Sequence, residues 1–551
     1  MSASHKKQLR KEQNAAQMTE KQREAQNEAK KLRLYSIAFV AVLVLLVLVA
    51  AVTAVSSSGI IERNTTAVTV DNTKVSAVEL NYYYIDSINN YLGQWGDYLA
   101  LTGLDSSKAL DDQIFSEADN LTWADYFIQQ ATTNIHSVYS IYNKAIAEGY
   151  TLSEEDRQAI ESNLSTTALY AQFYYGYADL NSYLVGMYGA GANEETYRAY
   201  AEVQYIASAY ANDHYDTLEY TDEQIAAVLA ENPFNYTSYN YNYYYLPSTD
   251  FLQGGTQGED GKITYSDEEK AAALEAAKAA AESLVAQAAE INTDVLFDKA
   301  IKALNIKDDA AATVMKNKMY TTISATMQDW VADPDRVVGD LGMIANETTS
   351  TDADGNETTT TNGYYVILFL GANDNTYKMN NVRHLLVSFE GGTKGEDGTT
   401  VYSDEEKAAA KAEAEELLNQ FLAGEQTEEA FAALVTEKTD DTASAETGGL
   451  FENIHLASNY VEGFLNWAND DARTVGETGI VETEYGYHIM FLDGFSDTTY
   501  REYLITNDML TADINAWQAA LLEKYPLTEV NLSRVDRSLV LGNYLYYGYG
   551  H

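Results

Sequence analysis

Residues Val382 to Ala410 read VRHLLVSFEGGTKGEDGTTVYSDEEKAAA, and this stretch joins three kinds of local signal. The run VRHLLVSF is rich in apolar and β-branched residues, which is typical of a strand. The GEDG tetrapeptide that follows consists of turn-forming residues. Ser403 then precedes Glu405 and Glu406, whose acidic side chains favour the first turn of a helix. The stretch therefore predicts a strand, a loop and a helix, in that order.

The loop and helix of this stretch are written twice in the chain. Gly254 to Ala273 is identical to Gly391 to Ala410 at 16 of 20 positions, with an offset of 137 residues. Further matches occur at the same offset, namely Trp330 with Trp467, Arg336 with Arg473, and Gly342 with Gly479. The duplication is thus as long as a domain, and it predicts two related domains in tandem.

The overall composition excludes several classes of function. The chain has 551 residues, 46% of them hydrophobic, which is enough for several domains with buried cores. Its formal net charge of −48 argues against nucleic acid as a partner, because an acidic surface repels the phosphate backbone. The chain contains no cysteine, so disulfides, thiol nucleophiles and thiolate metal sites are excluded. We predict no metal and no cofactor.

The N-terminal region combines basic residues with a long apolar run. Nine Lys or Arg stand against four Glu in residues 1–33, and Leu34 to Val55 then runs 22 residues without a charge. A run of this length is enough to cross a bilayer as a helix, and the basic flank orients it. We therefore predict a cytoplasmic tail over residues 1–33, a transmembrane signal anchor over 34–56, and an extracytoplasmic remainder at the plasma membrane. A cleaved signal peptide ending at Val52-Thr53-Ala54 is the alternative.

Residues 66–232 predict a helical region. Ala67 to Tyr84 reads as a short strand, a turn at Asp71-Asn72 and a helix that begins near Ser76, with Glu79 three residues on as a capping box. Apolar and aromatic residues then recur at helical spacings up to Leu229. Many of them are tyrosines, which offer apolar area with a polar tip and suit adaptable contacts with exposed chain segments.

Four motifs in residues 380–495 resemble a parvulin-type peptidyl-prolyl isomerase domain. They are RHLLV from Arg383, FAALV followed by TDD up to Asp441, the Gly448-Gly449-Leu450 turn, and the terminal YGYHIMFL. The resemblance implies a four-stranded antiparallel sheet wrapped by helices, with two histidines side by side and an apolar pocket for the proline ring. It implies the catalytic residues His384, Asp441, His488 and Thr483, with Asp440 as the rival for the carboxylate. It implies the pocket residues Leu450, Tyr460 and Phe464.

The first copy, residues 235–373, is predicted to keep this fold and to have lost the site. Aligning YYYLPS from Tyr243 on RHLLVS sets Tyr244 opposite His384, and aligning NGYYVILF on YGYHIMFL sets Tyr365 opposite His488. A phenol does not titrate near neutral pH and has one oxygen for hydrogen bonding, so it cannot replace an imidazole. We expect a degenerate parvulin-like domain.

The order of these regions resembles that of PrsA-like and SurA-like extracytoplasmic foldases. That resemblance implies that the C-terminal segment, residues 496–551, returns to pack on the helical chaperone region of residues 66–232. The predicted fold class is α+β, with one transmembrane helix, a helical lobe, two tandem parvulin-like domains and a C-terminal helical segment. The predicted function is that of a peptidyl-prolyl isomerase and chaperone for unfolded exported polypeptides. The alternative is a non-catalytic holdase or cell-surface binding protein that uses parvulin folds as scaffolds.

Overall fold

The structure, a computed structural model, describes residues 2–16, 30–31, 33, 38–49, 58–258, 261–351, 355–395 and 398–542. The chain divides into two units. The first comprises residues 1–219 and 511–551, and the second comprises residues 220–510. Both contain helices and antiparallel sheets, so the α+β part of the predicted fold class agrees with the architecture.

The prediction of a transmembrane helix is wrong. Of residues 34–56, the structure describes residues 38–49 as helical, and the others lie outside the described part. Among the described residues, no helix is long and apolar enough to cross a membrane.

The first unit is a helical lobe with one small sheet. Thr66–Val70 is the central strand of this sheet and pairs antiparallel with Thr73–Ser76 and with Leu527–Glu529. A second pair of short strands is formed by Ile114–Ser116 and Leu121–Thr122. The described helices of this unit include Ala3–Ala16, Ile60–Asn64, Ala77–Trp95, Trp123–Ala147, Glu154–Phe173, Leu180–Tyr188 and Glu194–Tyr215.

The core of the lobe combines residues from both sequence segments of the first unit. Leu521, Tyr525, Val535 and Leu541 pack in one cluster with residues of the N-terminal helices such as Trp123. A strand contributed by residues 527–529 completes the sheet beside this core. Residues of the C-terminal segment are therefore part of the lobe.

The Ala77–Trp95 helix begins after Ser76, as predicted, and Glu79 bonds both Ser76 and a residue of another helix. Ser76 accepts a hydrogen bond from the Glu79 amide, as a cap residue should. The Glu79 carboxylate, however, accepts a hydrogen bond from Tyr139 inside the lobe. Burial raises the pKa of Glu79 to about 7, although the bonds to Tyr139 and Ser76 act in the opposite direction.

The second unit contains two sheets with the same strand order. The first has the order Thr313–Met319, Ser238–Pro247, Glu357–Asn373, Leu341–Thr351, and the second has the order Leu450–Ile454, Lys378–Ser388, Gly486–Thr499, Thr478–Glu482. All strand pairs in both sheets are antiparallel. We call residues 235–373, which contain the first sheet, the first domain, and residues 380–495, which contain most of the second sheet, the second domain.

Equivalent helices cover the two sheets. In the first domain they are Asp267–Val285, Asp294–Ala303 and Ala325–Val331, and in the second they are Asp404–Ala423, Glu428–Lys438 and Glu462–Ala468. The unit also contains the helix Asp222–Glu231 and the small hairpins Thr256–Gln257 with Ile263–Thr264 and Thr393–Lys394 with Thr400–Val401. The helix Tyr500–Lys524 follows the second sheet.

The duplicated phrase has the same structural role in both domains. The Glu406 carboxylate accepts hydrogen bonds from the Gly392 and Ser403 amides, at 2.9 and 2.7 Å, while Ser403 caps the helix. Glu269 makes the matching bonds to Gly255 and Ser266 at the same distances. The repeated residues thus tie a glycine turn to the first turn of a helix, which is a structural function and not a catalytic one.

Candidate active site

Two neighbouring strands of the second domain bring His384 and His488 together. In the antiparallel pair Lys378–Ser388 and Gly486–Thr499, His384 lies opposite Met490 and His488 lies opposite Leu386. The two histidines are therefore diagonal neighbours on one face of the sheet. Their Nδ1 atoms are 3.0 Å apart, and both side chains are buried.

A carboxylate closes one end of this pair. The Asp441 Oδ2 atom lies 3.0 Å from Nε2 of His384 and accepts a 2.6 Å hydrogen bond from the Ser444 hydroxyl. Asp440 instead accepts a bond from the Ser388 amide at 2.8 Å. The structure thus places Asp441, and not its neighbour, at the histidines.

Thr483 closes the other end. Its hydroxyl lies 2.8 Å from Nε2 of His488. A neutral imidazole has one N–H donor and one acceptor nitrogen, and an ionised carboxylate only accepts. We therefore assign one direction to the chain of bonds: Thr483 donates to His488, His488 donates through Nδ1–H to His384, and His384 donates through Nε2–H to Asp441.

The surroundings keep this chain of hydrogen bonds in one charge state. Burial lowers the pKa of His488 to about 4, and the adjacent His384 acts in the same direction. Burial also lowers the pKa of His384, partly offset by Asp441. Partial burial alone would raise the pKa of Asp441, but the bonds from Ser444 and His384 outweigh it and hold the pKa below its usual value. At neutral pH the site holds two neutral imidazoles and one carboxylate.

Aromatic rings stand beside the histidines. The buried ring of Phe464 lies 5.5 Å from that of His384 and 5.9 Å from that of His488, measured between ring centroids. Tyr460 is exposed and its ring lies 5.3 Å from that of Phe464. These two predicted pocket residues are therefore next to the histidine pair.

The third predicted pocket residue, Leu450, is placed elsewhere, and its assignment to the pocket is corrected. Leu450 lies directly opposite Arg383 in the sheet, and directly opposed residues share a face. Because side chains alternate along a strand, that face is the one turned away from His384. Phe451 occupies the predicted place instead, with its ring 5.0 Å from that of His384 and 5.6 Å from that of Tyr460.

The face that carries Arg383 has its own polar network. Buried Arg383 donates to the carbonyls of Thr447 and Gly448 and pairs with Asp493 and Glu428. These bonds hold the Gly448-Gly449 turn, whose Gly449 carbonyl accepts a 3.0 Å bond from the His384 amide. The motif comparison missed Phe451, Ser444 and Arg383. Their roles depend on which strands pair and in which register, and no local pattern reports that.

The first domain carries tyrosines at the two histidine positions. One of them, however, is Tyr243 and not the predicted Tyr244. Pro247 pairs with Gly363 as Ser388 pairs with Gly486, and counting back from these pairs sets Tyr243 in the place of His384. The rings of Tyr243 and Tyr365 are 5.7 Å apart. Tyr244, predicted for this place, packs on the other face in a core that includes Leu246 and Phe297.

Residues 235–373 contain no histidine, so the bond chain of the second domain has no counterpart there. Met327 stands at the offset of 137 residues from Phe464 and is buried in the cluster that contains Tyr243. The first domain thus has an equivalent sheet and helices with different chemistry in its cleft.

The sequence comparison identifies the second domain. The family model described as "PPIC-type PPIASE domain" matches residues 365–493, which include the histidine pair, Asp441 and the aromatic rings. The second domain is a parvulin-type domain. The predicted resemblance of residues 380–495 is therefore confirmed for this part of the chain. No curated protein sequence matches the chain.

Several solved structures match parts of this chain. The peptidylprolyl isomerase PrsA of Bacillus anthracis matches at 20% identity, covers 27% of this chain and 61% of its own, and has a TM-score of 0.18. PrsA of Bacillus subtilis matches at 13% identity over 76% of this chain and 93% of its own, with a TM-score of 0.25. A structure of SurA-like chaperones from Campylobacter jejuni matches at 20% identity, covering 28% and 55%, with a TM-score of 0.16.

The chain therefore spans about three fifths of the length of the Bacillus anthracis structure. Likenesses at these identities and TM-scores carry no conclusion about the fold or the function of this chain. What the chain can do follows from the geometry of the parvulin-type domain itself.

Proposed function

We propose that this chain is a peptidyl-prolyl cis–trans isomerase and chaperone that acts on polypeptides outside the cytoplasm. One observation carries the isomerase proposal: the bonded set of Asp441, His384 and His488 lies directly beside the rings of Phe451, Phe464 and Tyr460. A proline ring is apolar and its amide is polar, and this cleft offers a matching surface for each.

The reaction requires no covalent step. Rotation about an X–Pro bond is slow because amide resonance opposes it, with a barrier of about 18–20 kcal/mol. Aromatic walls that grip the proline ring fix one side of the bond, while the fixed dipoles of the histidine chain favour the twisted amide over the planar one. His384, His488 and Thr483 hold Asp441 in one protonation state, and no proton has to leave the site.

The proposal is tested with the full chain and a proline tetrapeptide in a protease-coupled cis–trans assay. We expect catalysed isomerisation, and we expect Asp441→Asn to reduce kcat/KM. Asp440→Asn is the matched control, because the neighbouring carboxylate bonds the Ser388 amide and does not contact the histidines. A full chain without turnover would refute the isomerase proposal.

An exposed aromatic patch in the lobe supports the chaperone part. Phe173 and Tyr174 are 78% and 77% exposed, and Leu169 and Tyr170 beside them are also exposed. The rings of Tyr170 and Tyr174 lie 5.1 Å apart. Contiguous exposed apolar surface on a folded protein indicates an interaction site, and an unfolded polypeptide presents the apolar side chains that fit it.

The signal-peptide alternative, a basic segment and a charge-free run that ends at Val52-Thr53-Ala54, supports the proposed location outside the cytoplasm. Protease digestion of intact cells tests it: residues 58–542 should be degraded while a cytoplasmic marker survives. The non-catalytic alternative remains a distinct outcome. A chain that suppresses aggregation of an unfolded client but shows no turnover would be a holdase.

A further inference from the structure

A cavity of about 260 Å³ is lined by residues of the first unit, whereas the parvulin-type site belongs to the second unit. We call it the lobe cavity. Its walls come from the Ile60–Asn64 helix, the Ala77–Trp95 helix, the end of the Leu180–Tyr188 helix with its following loop, and the C-terminal segment. The residues that matter here are Glu62, Asn81, Tyr84, Met187, Arg534 and Asp536.

Two residues that line this cavity each carry a hydrogen-bond acceptor that has no partner among the described residues. These acceptors are Oδ1 of Asn81 and Oε2 of Glu62, and both atoms are buried. Asn81 is only 7% exposed, and the side chain of Glu62 is 12% exposed. Native proteins rarely leave a buried polar atom unpaired, so each such atom calls for a donor. Two of them at one cavity point to a bound group that donates hydrogen bonds.

The charged side chains at the cavity indicate which kind of hydrogen-bond donor would bind there. Oε1 of Glu62 lies 3.6 Å from Nη1 of Arg534, which is a loose ion pair. Asp536 adds a second carboxylate, which accepts hydrogen bonds from the amide and hydroxyl of Ser538. With two carboxylates and one guanidinium, the side chains give the cavity a net negative charge. A cation with N–H donors fits this environment, and a phosphate or carboxylate does not.

The cavity also has an apolar wall and a fixed rim. Tyr84, Ile85 and Met187 line it beside the polar atoms, as a long aliphatic stem would require. At the rim, Gly191 has φ of 94°, and a Cβ there would lie 2.7 Å from Val78 and 2.9 Å from the Gly59 carbonyl. The Gly191 carbonyl accepts a 3.2 Å bond from Arg63. This close backbone approach holds the loop on the helix that carries Glu62.

We propose that the lobe cavity binds the basic side chain of a client polypeptide. The ammonium of Lys or the guanidinium of Arg would donate to Asn81 Oδ1 and Glu62 Oε2, with the aliphatic stem against Tyr84 and Met187. The volume lies just below that of ligand pockets, which is about 300–1,000 Å³, and suits one side chain. The proposal rests on the proposed chaperone function and names the side chain that the lobe recognises.

The test uses the full chain labelled with ¹³C-methyl methionine, with Met187→Leu to assign the Met187 signal. The probe is N-acetyl-lysine methylamide, and N-acetyl-norleucine methylamide is its uncharged match. We expect the lysine probe to shift the Met187 signal saturably, at a concentration at least tenfold lower than the norleucine probe. Glu62→Gln should weaken lysine binding at least fivefold, while Glu155→Gln, an exposed acid on another helix, should leave it unchanged.

A second variant keeps the test decisive should Glu62→Gln unfold the lobe. Arg534→Gln removes a partly exposed cation and should tighten lysine binding severalfold. Equal binding of both probes would refute the proposal and indicate an apolar pocket. No shift with either probe would refute it and indicate a cavity filled by water. Suppression of client aggregation by the unmodified full chain, measured separately, distinguishes these results from a failure of the proposed chaperone function. Tetrapeptide isomerisation should be unchanged in both variants, because neither lies in the parvulin-type site.

Discussion

The Nδ1 atoms of His384 and His488 face each other at 3.0 Å, on neighbouring antiparallel strands. Two nitrogens at this distance need one proton between them, so one histidine donates and the other accepts. The carboxylate of Asp441 at the far side of His384 makes His488 the donor. This relationship ties the function of the site to the neutral form of both rings.

Activity should therefore keep its neutral-pH value well below the usual pKa of histidine. Burial holds the pKa of His488 at about 4 and lowers that of His384. We expect kcat/KM for a proline tetrapeptide to be constant from pH 8 to pH 6 and to fall toward pH 4, as the rings gain protons. A midpoint near pH 6.5, the value for an exposed imidazole, would contradict the assigned bond chain.

The aromatic wall formed by Phe464 should contribute more to catalysis than the carboxylate of Asp441. We expect Phe464→Ala to lower kcat/KM more than Asp441→Asn, because the ring removes the proline from water while the carboxylate only biases the charge distribution of the amide. Loss of a buried aromatic ring typically costs about 3–5 kcal/mol, and a hydrogen bond to a charged group contributes about 1.5–3 kcal/mol. Both variants are compared on one tetrapeptide, with circular dichroism as the folding control. The reverse order would mean that electrostatics dominates catalysis.

Isomerase activity should be confined to the second domain. Tyr243 and Tyr365 occupy the histidine positions of the first domain, which has its own sheet and its own cores. A fragment from Asn235 to Asn373 should show no turnover, whereas a fragment from Asn380 to Phe495 should be active. The measurement is the same tetrapeptide assay on both fragments, after each is shown to be folded. Comparable turnover in the two would disprove the assignment.

The exposed patch of the lobe should carry the holding function. We expect the double variant Phe173→Ser and Tyr174→Ser to suppress aggregation of an unfolded client at least threefold less well, with unchanged isomerisation. Tyr98→Ser is the matched control, because Tyr98 is 68% exposed in the same lobe and lies elsewhere in the sequence. Light scattering during refolding of the client measures the effect. Equal losses in control and double variant would mean that the patch is not the holding surface.

The lobe should become less stable as the pH rises through neutrality. With its pKa raised to about 7, Glu79 keeps a proton in the folded state that the unfolded state loses above pH 4.5. The free energy of unfolding therefore falls as the pH rises from 4.5 to 7. Glu79→Gln keeps a partner for Tyr139 without the charge and should remove this dependence, stabilising the lobe at pH 8 by roughly 1 kcal/mol.

Hydrogen exchange of peptides from the Ala77–Trp95 helix reports this local stability at pH 5 and pH 8, after correction for the intrinsic exchange rate. Glu155→Gln serves as the control for a loss of negative charge alone. A pH dependence that persists in Glu79→Gln would show that other groups cause it.

The sequence by itself determined the motifs of the site and the local structure around them. His384, Asp441 and His488 could be identified because each lies in a short motif that resembles the parvulin type, and the same resemblance implied Thr483 and Phe464. The helix that begins after Ser403 and its repeat after Ser266 were readable because a cap and its acidic partner are three residues apart. Signals of this kind are contained within a few consecutive residues.

Only the tertiary structure decided which side chains face the cleft. Side chains alternate along a strand, so an alignment error of one residue moves a side chain to the opposite face of the sheet. For this reason Tyr243 replaces Tyr244 as the counterpart of His384, and Phe451 replaces Leu450 as a wall of the pocket. The bond between Glu79 and Tyr139 joins two helices through residues that are 60 positions apart in the chain. Strand register and helix packing depend on contacts between distant segments, and such contacts exist only in the folded chain.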